Sequence, residues 1–151
     1  MPSPFGTLYH LPDVRQGSLT LLNTKANRFA PFVRRVALRV FQHLIILQRK
    51  NLNLTDIVAA REITGVDATL DHKGNLTGLS IRGRSGSFSV DESLLKACEI
   101  AAWDENPPPG AQTEDGNIHF IFRSRISPNF GPDGSSVGIR SIIVYLEVGL
   151  V

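Results

Sequence analysis

"LDHKGNLTGLSIRGRSGSFSVDESLLKACEIAAWDENPPP", from Leu70 to Pro109, decides the fold, because its hydrophobic period switches from two to that of a helix. Just upstream, Val66, Ala68 and Leu70 alternate with Asp67 and Thr69, the pattern of a half-buried strand. "DHKGN" reads as a short hairpin loop, with Gly74 free to take a positive φ. Leu76, Leu79 and Ile81 continue as a second strand, and their uneven spacing predicts a bulge near Gly78. "GRSGS" turns the corner. In "SVDE" the Ser89 hydroxyl and the Glu92 carboxylate can satisfy each other's backbone amides, a capping box that starts a helix. That helix is expected to bury Val90, Leu94, Ala97, Cys98 and Ala101, and the prolines 107–109 stop the chain from continuing it.

Outward from this stretch, a longer helix precedes it. Phe29, Phe32, Val33, Val36, Ala37, Val40, Phe41, Leu44 and Leu47 form one broad apolar stripe at helical spacing. Pro31 is tolerable only in a first turn, which puts the start near Asn27. "RKNLNLTD" breaks it. Residues 1–26 read as a linker or N-terminal arm, rich in Pro and Gly at its start, within which "SLTLLN" suits equally a short strand or a staple packed beside the next helix. After the prolines, "NIHFIFRSRI" predicts a third strand, with Ile118, Phe120 and Phe122 on one face and His119, Ile121 and Arg123 on the other. A loop with Pro128, Gly131, Pro132 and Gly134 leads to "VGIRSIIVYLEV", a fourth strand that is apolar on both faces from Ile142 to Leu146. The expected fold is α+β: two helices packed on one face of a three- to four-stranded, mainly antiparallel sheet.

Composition narrows the function. The 151 residues are 42% apolar, enough for a core, and the net charge of +2 is too small to imply nucleic acid. A single cysteine, Cys98, excludes an internal disulfide and a cysteine-based zinc site. No run of about 18 apolar residues is present that would span a bilayer.

The chemically able residues do not assemble into a known set. His10, His43, His72 and His119 contain no pair at the i, i+4 spacing of a helical metal site. Cys98 falls on an apolar stripe, where a thiol behaves as a small hydrophobe. "GRSGS" lacks the lysine that ends a phosphate loop. Asp91 and Glu92 suit the first turn of a helix, where the macrodipole favours carboxylates, and Arg34, Arg35 and Arg39 suit a solvated helix face. An enzyme built on Asp91, Glu92 or Cys98 is the rival reading. No catalytic, cofactor-binding or metal-binding residue is assigned, and the chain reads as a binding module whose asset is the edge of its sheet.

The order of these pieces resembles the C-terminal domain of TonB-type energy transducers and, more distantly, of TolA. The matching elements are Leu70-Asp71-His72-Lys73-Gly74, the Leu76–Ile81 strand, Arg84-Ser85-Gly86, Val90-Asp91 through Leu94, Ala97 and Ala101, then Pro107-Pro108-Pro109 and Ile118–Ile126. The likeness spans residues 28–126, within a domain set at 27–126, and leaves 127–151 as a C-terminal extension carrying the additional strand. It lacks the family's Tyr-Pro pair, where "NLNLTDIVAA" stands instead.

The resemblance implies a periplasmic domain of a protein anchored in the inner membrane by a span of about 20 residues upstream. Such a domain binds a peptide of an outer-membrane TonB-dependent receptor by β-strand addition. Through its N-terminal part it takes force from a proton-driven inner-membrane motor. The receptor-binding edge carried over from the family is the third strand: Ile118, His119, Phe120, Ile121, Phe122, Arg123, Ser124 and Arg125. Ile139, Ile142, Ile143, Val144, Tyr145 and Leu146 of the fourth strand then either cover that edge or swap into a homodimer. A TolA-like or other envelope adaptor without a transport role is the alternative. No nucleic-acid partner is expected.

Overall fold

The computed structural model describes residues 13–130 and 139–151. His10, the rest of the arm before Asp13, and Gly131, Pro132 and Gly134 lie outside the described residues. The chain is α+β. Strand β1 (Asp13–Leu21) leads into helices α1 (Thr24–Arg28), α2 (Ala30–Asn51) and α3 (Leu54–Ala59). Strands β2 (Thr64–Leu70) and β3 (Leu76–Gly83) follow, then helix α4 (Phe88–Ala101) and strands β4 (Ile118–Phe130) and β5 (Ile139–Leu150).

The strands form one mixed sheet in the order β1-β5-β4-β2-β3. Every neighbouring pair is antiparallel except β1 with β5, which run parallel. The sheet is thus wider than expected, by the segment 13–21 that composition assigns to the arm. Its alternation is weak, with Val14 its one fully buried side chain, yet β5 needs a neighbour because Ile142, Val144, Leu146 and Val148 all lie in the core. Two bonds from the Arg49 guanidinium to the Val14 carbonyl, at 3.1 and 2.8 Å, tie β1 to the end of α2.

Helices α2 and α4 cover one face of the sheet. The stripe from Phe32 to Leu44 is buried against Phe120, Phe122, Val66, Ala68 and the inner residues of β5. Phe32 and Phe120 meet with ring centroids 5.5 Å apart. The helix boundaries correct the sequence reading twice. Asn23, not Asn27, caps the first helix, accepting from the Ala26 amide at 3.0 Å, and the chain breaks at Phe29 before α2 begins with Pro31 in its first turn. Asn23 also donates to the Leu150 carbonyl at 2.8 Å, so one side chain joins the helix start to the end of β5. At α4 the cap is Ser87, which accepts from the Val90 amide, and Ser89 lies inside the helix; no box with Glu92 forms.

Helix α3 was not anticipated. Asn53 and Asp56 make its capping box, each side chain accepting from the other's backbone amide.

The proline segment after α4 is a clamp. Asp104 is buried and accepts two bonds from Arg35, at 3.2 and 3.1 Å, with Arg39 at 3.5 Å. Arg39 stacks over the Trp103 ring at 3.8 Å. Arg35 and Arg39 therefore bind α2 to the segment instead of forming a solvated basic patch. Gly74 lies against it from the hairpin at φ +90°, and a β-carbon there would meet the Asp104 carbonyl oxygen at 1.8 Å.

Candidate functional site

The strand carried over as the receptor-binding edge is the middle of the sheet. Ile118–Ser124 pair with β2, and Phe120–Phe130 pair with β5. From Phe120 to Ser124 both sides of the backbone are occupied, so these residues have no free edge for an added strand. The cause is β5. Its apolar faces bring it onto β4 within the same chain, and Ile142, Val144 and Leu146 enter the core while Ile143 and Tyr145 stand on the opposite face. Ile139 belongs to this strand by its backbone pairing with Phe130. Past Ser124, β4 outruns β2, and Arg125–Phe130 pair with β5 alone.

Among the described residues the free edges are those of β1 and β3, together with the side of Arg125–Phe130 that β2 does not reach. The edge of β1 loses its register between Gln16 and Leu19. The edge of β3 belongs to the hairpin of the opening stretch. The Thr69↔Gly78 and Leu70↔Leu76 pairs skip Thr77, so the predicted bulge lies beside Gly78. Leu76 and Leu79 pack toward the core, and Ser80 and Arg82 face the other way.

Among the described residues no helix covers that other face. It carries Asp67 and Thr69 of β2, His119, Ile121, Arg123 and Arg125 of β4, and Ile143, Tyr145 and Glu147 of β5. The Arg125 guanidinium lies 4.7 Å over the Tyr145 ring. Both signs of charge alternate across the face, so it presents no single-signed field.

Its β3 side holds a depression lined by Asp67, Thr69, Ser80, Arg82, His119 and Ile121, among others. Arg82 pairs with Asp67 at 3.1 Å. His119 sits between the Thr69 hydroxyl, 3.3 Å from Nδ1, and the Asp115 carboxylate, 2.8 Å from Nε2. Asp115 also accepts from the Thr113 hydroxyl and the Asn117 amide. Chiefly the Thr113 bond, then those to Asn117 and His119, holds its carboxyl well below the usual carboxylate range. The sequence places Thr69 and His119 on separate strands; only the register Thr69↔His119 brings them side by side. A carboxylate, an imidazole and a hydroxyl in line resemble a hydrolase triad in outline, but the hydroxyl is on a central strand whose backbone amides are taken up by the ladder.

Two other reactive candidates, Asp91 and Cys98, are buried. Asp91 is buried and accepts from the Thr64 hydroxyl at 2.7 Å and the Ser85 amide at 3.0 Å, locking the corner of the "GRSGS" turn to α4. Cys98 is fully buried, which pushes its thiol far above the ordinary range. Among the described residues no three His, Cys, Asp or Glu side chains gather as metal ligands, and no helix is long and apolar enough to cross a membrane.

Comparisons of the chain with protein-family models, with curated proteins and with solved structures find no match.

Proposed function

We propose that the chain is the periplasmic domain of a TonB-type energy transducer, which binds an extended segment of an outer-membrane transporter by strand addition. Force from an inner-membrane proton-driven motor would reach it through a membrane-anchored segment N-terminal to this chain. The order of elements along the chain and the sequence motifs support the reading. β2, β3, α4, the prolines and β4 follow one another as the TonB C-terminal domain is written, with the two long helices on one face.

The observation that carries the proposal is the unpaired outer edge of β3, Leu76–Gly83, backed on its inner face by α4 and on its other side by β2. Backbone pairing tolerates varied partner sequences, and a rigid edge pulled along its axis loads several hydrogen bonds together. Because β4 is paired on both sides from Phe120 to Ser124, the edge taken here for binding is that of β3 instead of Ile118–Arg125.

Titrating the domain with synthetic periplasmic segments of outer-membrane transporters, against segments of other envelope proteins, tests it. Saturable binding of the transporter segments is expected. Binding only to the other envelope segments would turn the reading to the adaptor without a transport role, and no binding to either would remove it.

A further inference from the structure

We propose that the outer ridge of α2 docks on the surface of an anionic phospholipid membrane; the inference goes beyond strand addition at β3 and stands without it. The observation that carries it is charge. From Val14 to Thr55, through β1, α1 and α2, the chain holds eight of its 16 Lys and Arg and none of its 14 Asp and Glu. Carboxylates from outside this run meet three of the eight: Asp13 pairs with Arg15, and Asp104 with Arg35 and Arg39. Lys25, Arg28, Arg34, Arg49 and Lys50 make no ion pair among the described residues. Lys25 and Arg49 donate to the carbonyls of Val151 and Val14, which are neutral and leave the two charges standing. Asp56, the first acid after the run, is engaged in the capping box of α3 with Asn53.

The ridge also carries apolar side chains that a merely solvated face does not need. At about 100° per residue, Arg34, Leu38, Ile46 and Arg49 fall within about one third of the circumference of α2, turned away from the stripe that Ala37, Val40 and Leu44 bury. Leu38 is 42% exposed and Ile46 57%. Arg34, Arg49 and Lys50 are exposed, as is Arg28 at the end of α1. Arg34 and Arg49 stand about 22 Å apart along the helix axis. The helix can thus lie flat on a plane, with both cations at the headgroups and both aliphatic side chains between them. Cationic side chains attract anionic lipid, and aliphatic ones bury into the boundary between headgroups and acyl chains. The aromatic side chains of α2, Phe32 and Phe41, are buried, so the ridge offers no ring on which a base can stack. That favours a membrane over a nucleic acid.

The test uses the whole chain and its sedimentation with vesicles of phosphatidylcholine, alone or mixed with phosphatidylglycerol. Binding to the mixed vesicles only is expected, weakening as salt is raised. Arg34→Gln together with Lys50→Gln removes two charges, each worth roughly fivefold in affinity, so a loss of roughly 25-fold is expected. Ile46→Ser is expected to lose roughly threefold or more. Lys73→Gln, in the exposed hairpin loop between β2 and β3 at the other edge of the sheet, is expected to bind as the parent does. Equal binding to both kinds of vesicle, no binding, unchanged affinity in either ridge variant, or an equal loss in Lys73→Gln overturns the inference. Binding to duplex DNA but not to the mixed vesicles also overturns it and turns the ridge to nucleic acid. None of these outcomes bears on the edge of β3, which lies at the opposite end of the sheet from β1.

Discussion

The Thr64 hydroxyl donates to the buried Asp91 carboxylate at 2.7 Å, joining the first residue of β2 to the first turn of α4. The same oxygen accepts from the Ser85 amide, so one carboxylate holds a strand, a turn and a helix together. Asp91→Ala leaves two buried donors without a partner. Each costs about 1–3 kcal/mol, so a loss of about 2–6 kcal/mol is expected in urea unfolding. Asp91→Asn keeps an acceptor oxygen and is expected to lose less. A change in Asp91→Ala below about 0.5 kcal/mol would mean that the corner is not held by this carboxylate.

Phe32 of α2 meets Phe120 at the centre of the sheet, 5.5 Å between ring centroids, and is almost fully buried. Phe32→Ala is expected to cost about 3–5 kcal/mol. A cost below about 1 kcal/mol in equilibrium denaturation would make α2 peripheral and contradict the packing of helix on sheet.

Asp115 supports the loop before β4 as a charged carboxylate. Its folded value lies below the unfolded one, so its contribution to stability is complete above about pH 4 and is lost as pH falls through the folded value. Asp115→Asn keeps the shape and removes the charge. The variant is therefore expected to be less stable than the parent near about pH 6, with the gap closing as the pH drops below about 4. Urea unfolding at several pH values measures the gap. A gap that stays constant or widens on acidification would contradict the assignment.

Where the period of the sequence was strong, the fold was legible. The stripe from Phe32 to Leu44, the alternation at Val66–Leu70 and that at Ile118–Phe122 all lie where expected. Helix α3 carried its own signal in Asn53 and Asp56, but six residues are too short for a hydrophobic period to register. β1 was legible only in its second half, Ser18–Leu21, and there only as one of two alternatives. It buries little, and its place follows from the need of β5 for a neighbour, which is a non-local demand. The same demand hid the enclosure of β4: strand order is not written in any one strand's pattern. The contact of Thr69 with His119 arises from cross-strand register, and no local motif marks it.

The central claim is that a transporter segment adds to the outer edge of β3. Hydrogen exchange of the whole chain, with and without a bound transporter segment, tests it most directly. The account predicts new protection concentrated in Leu76–Gly83, with Phe120–Ser124, already paired on both sides, unchanged. Protection that appears instead along β5 with loss at β1, as an incoming strand displaces Asp13–Leu21, or binding with no new amide protection, would contradict it.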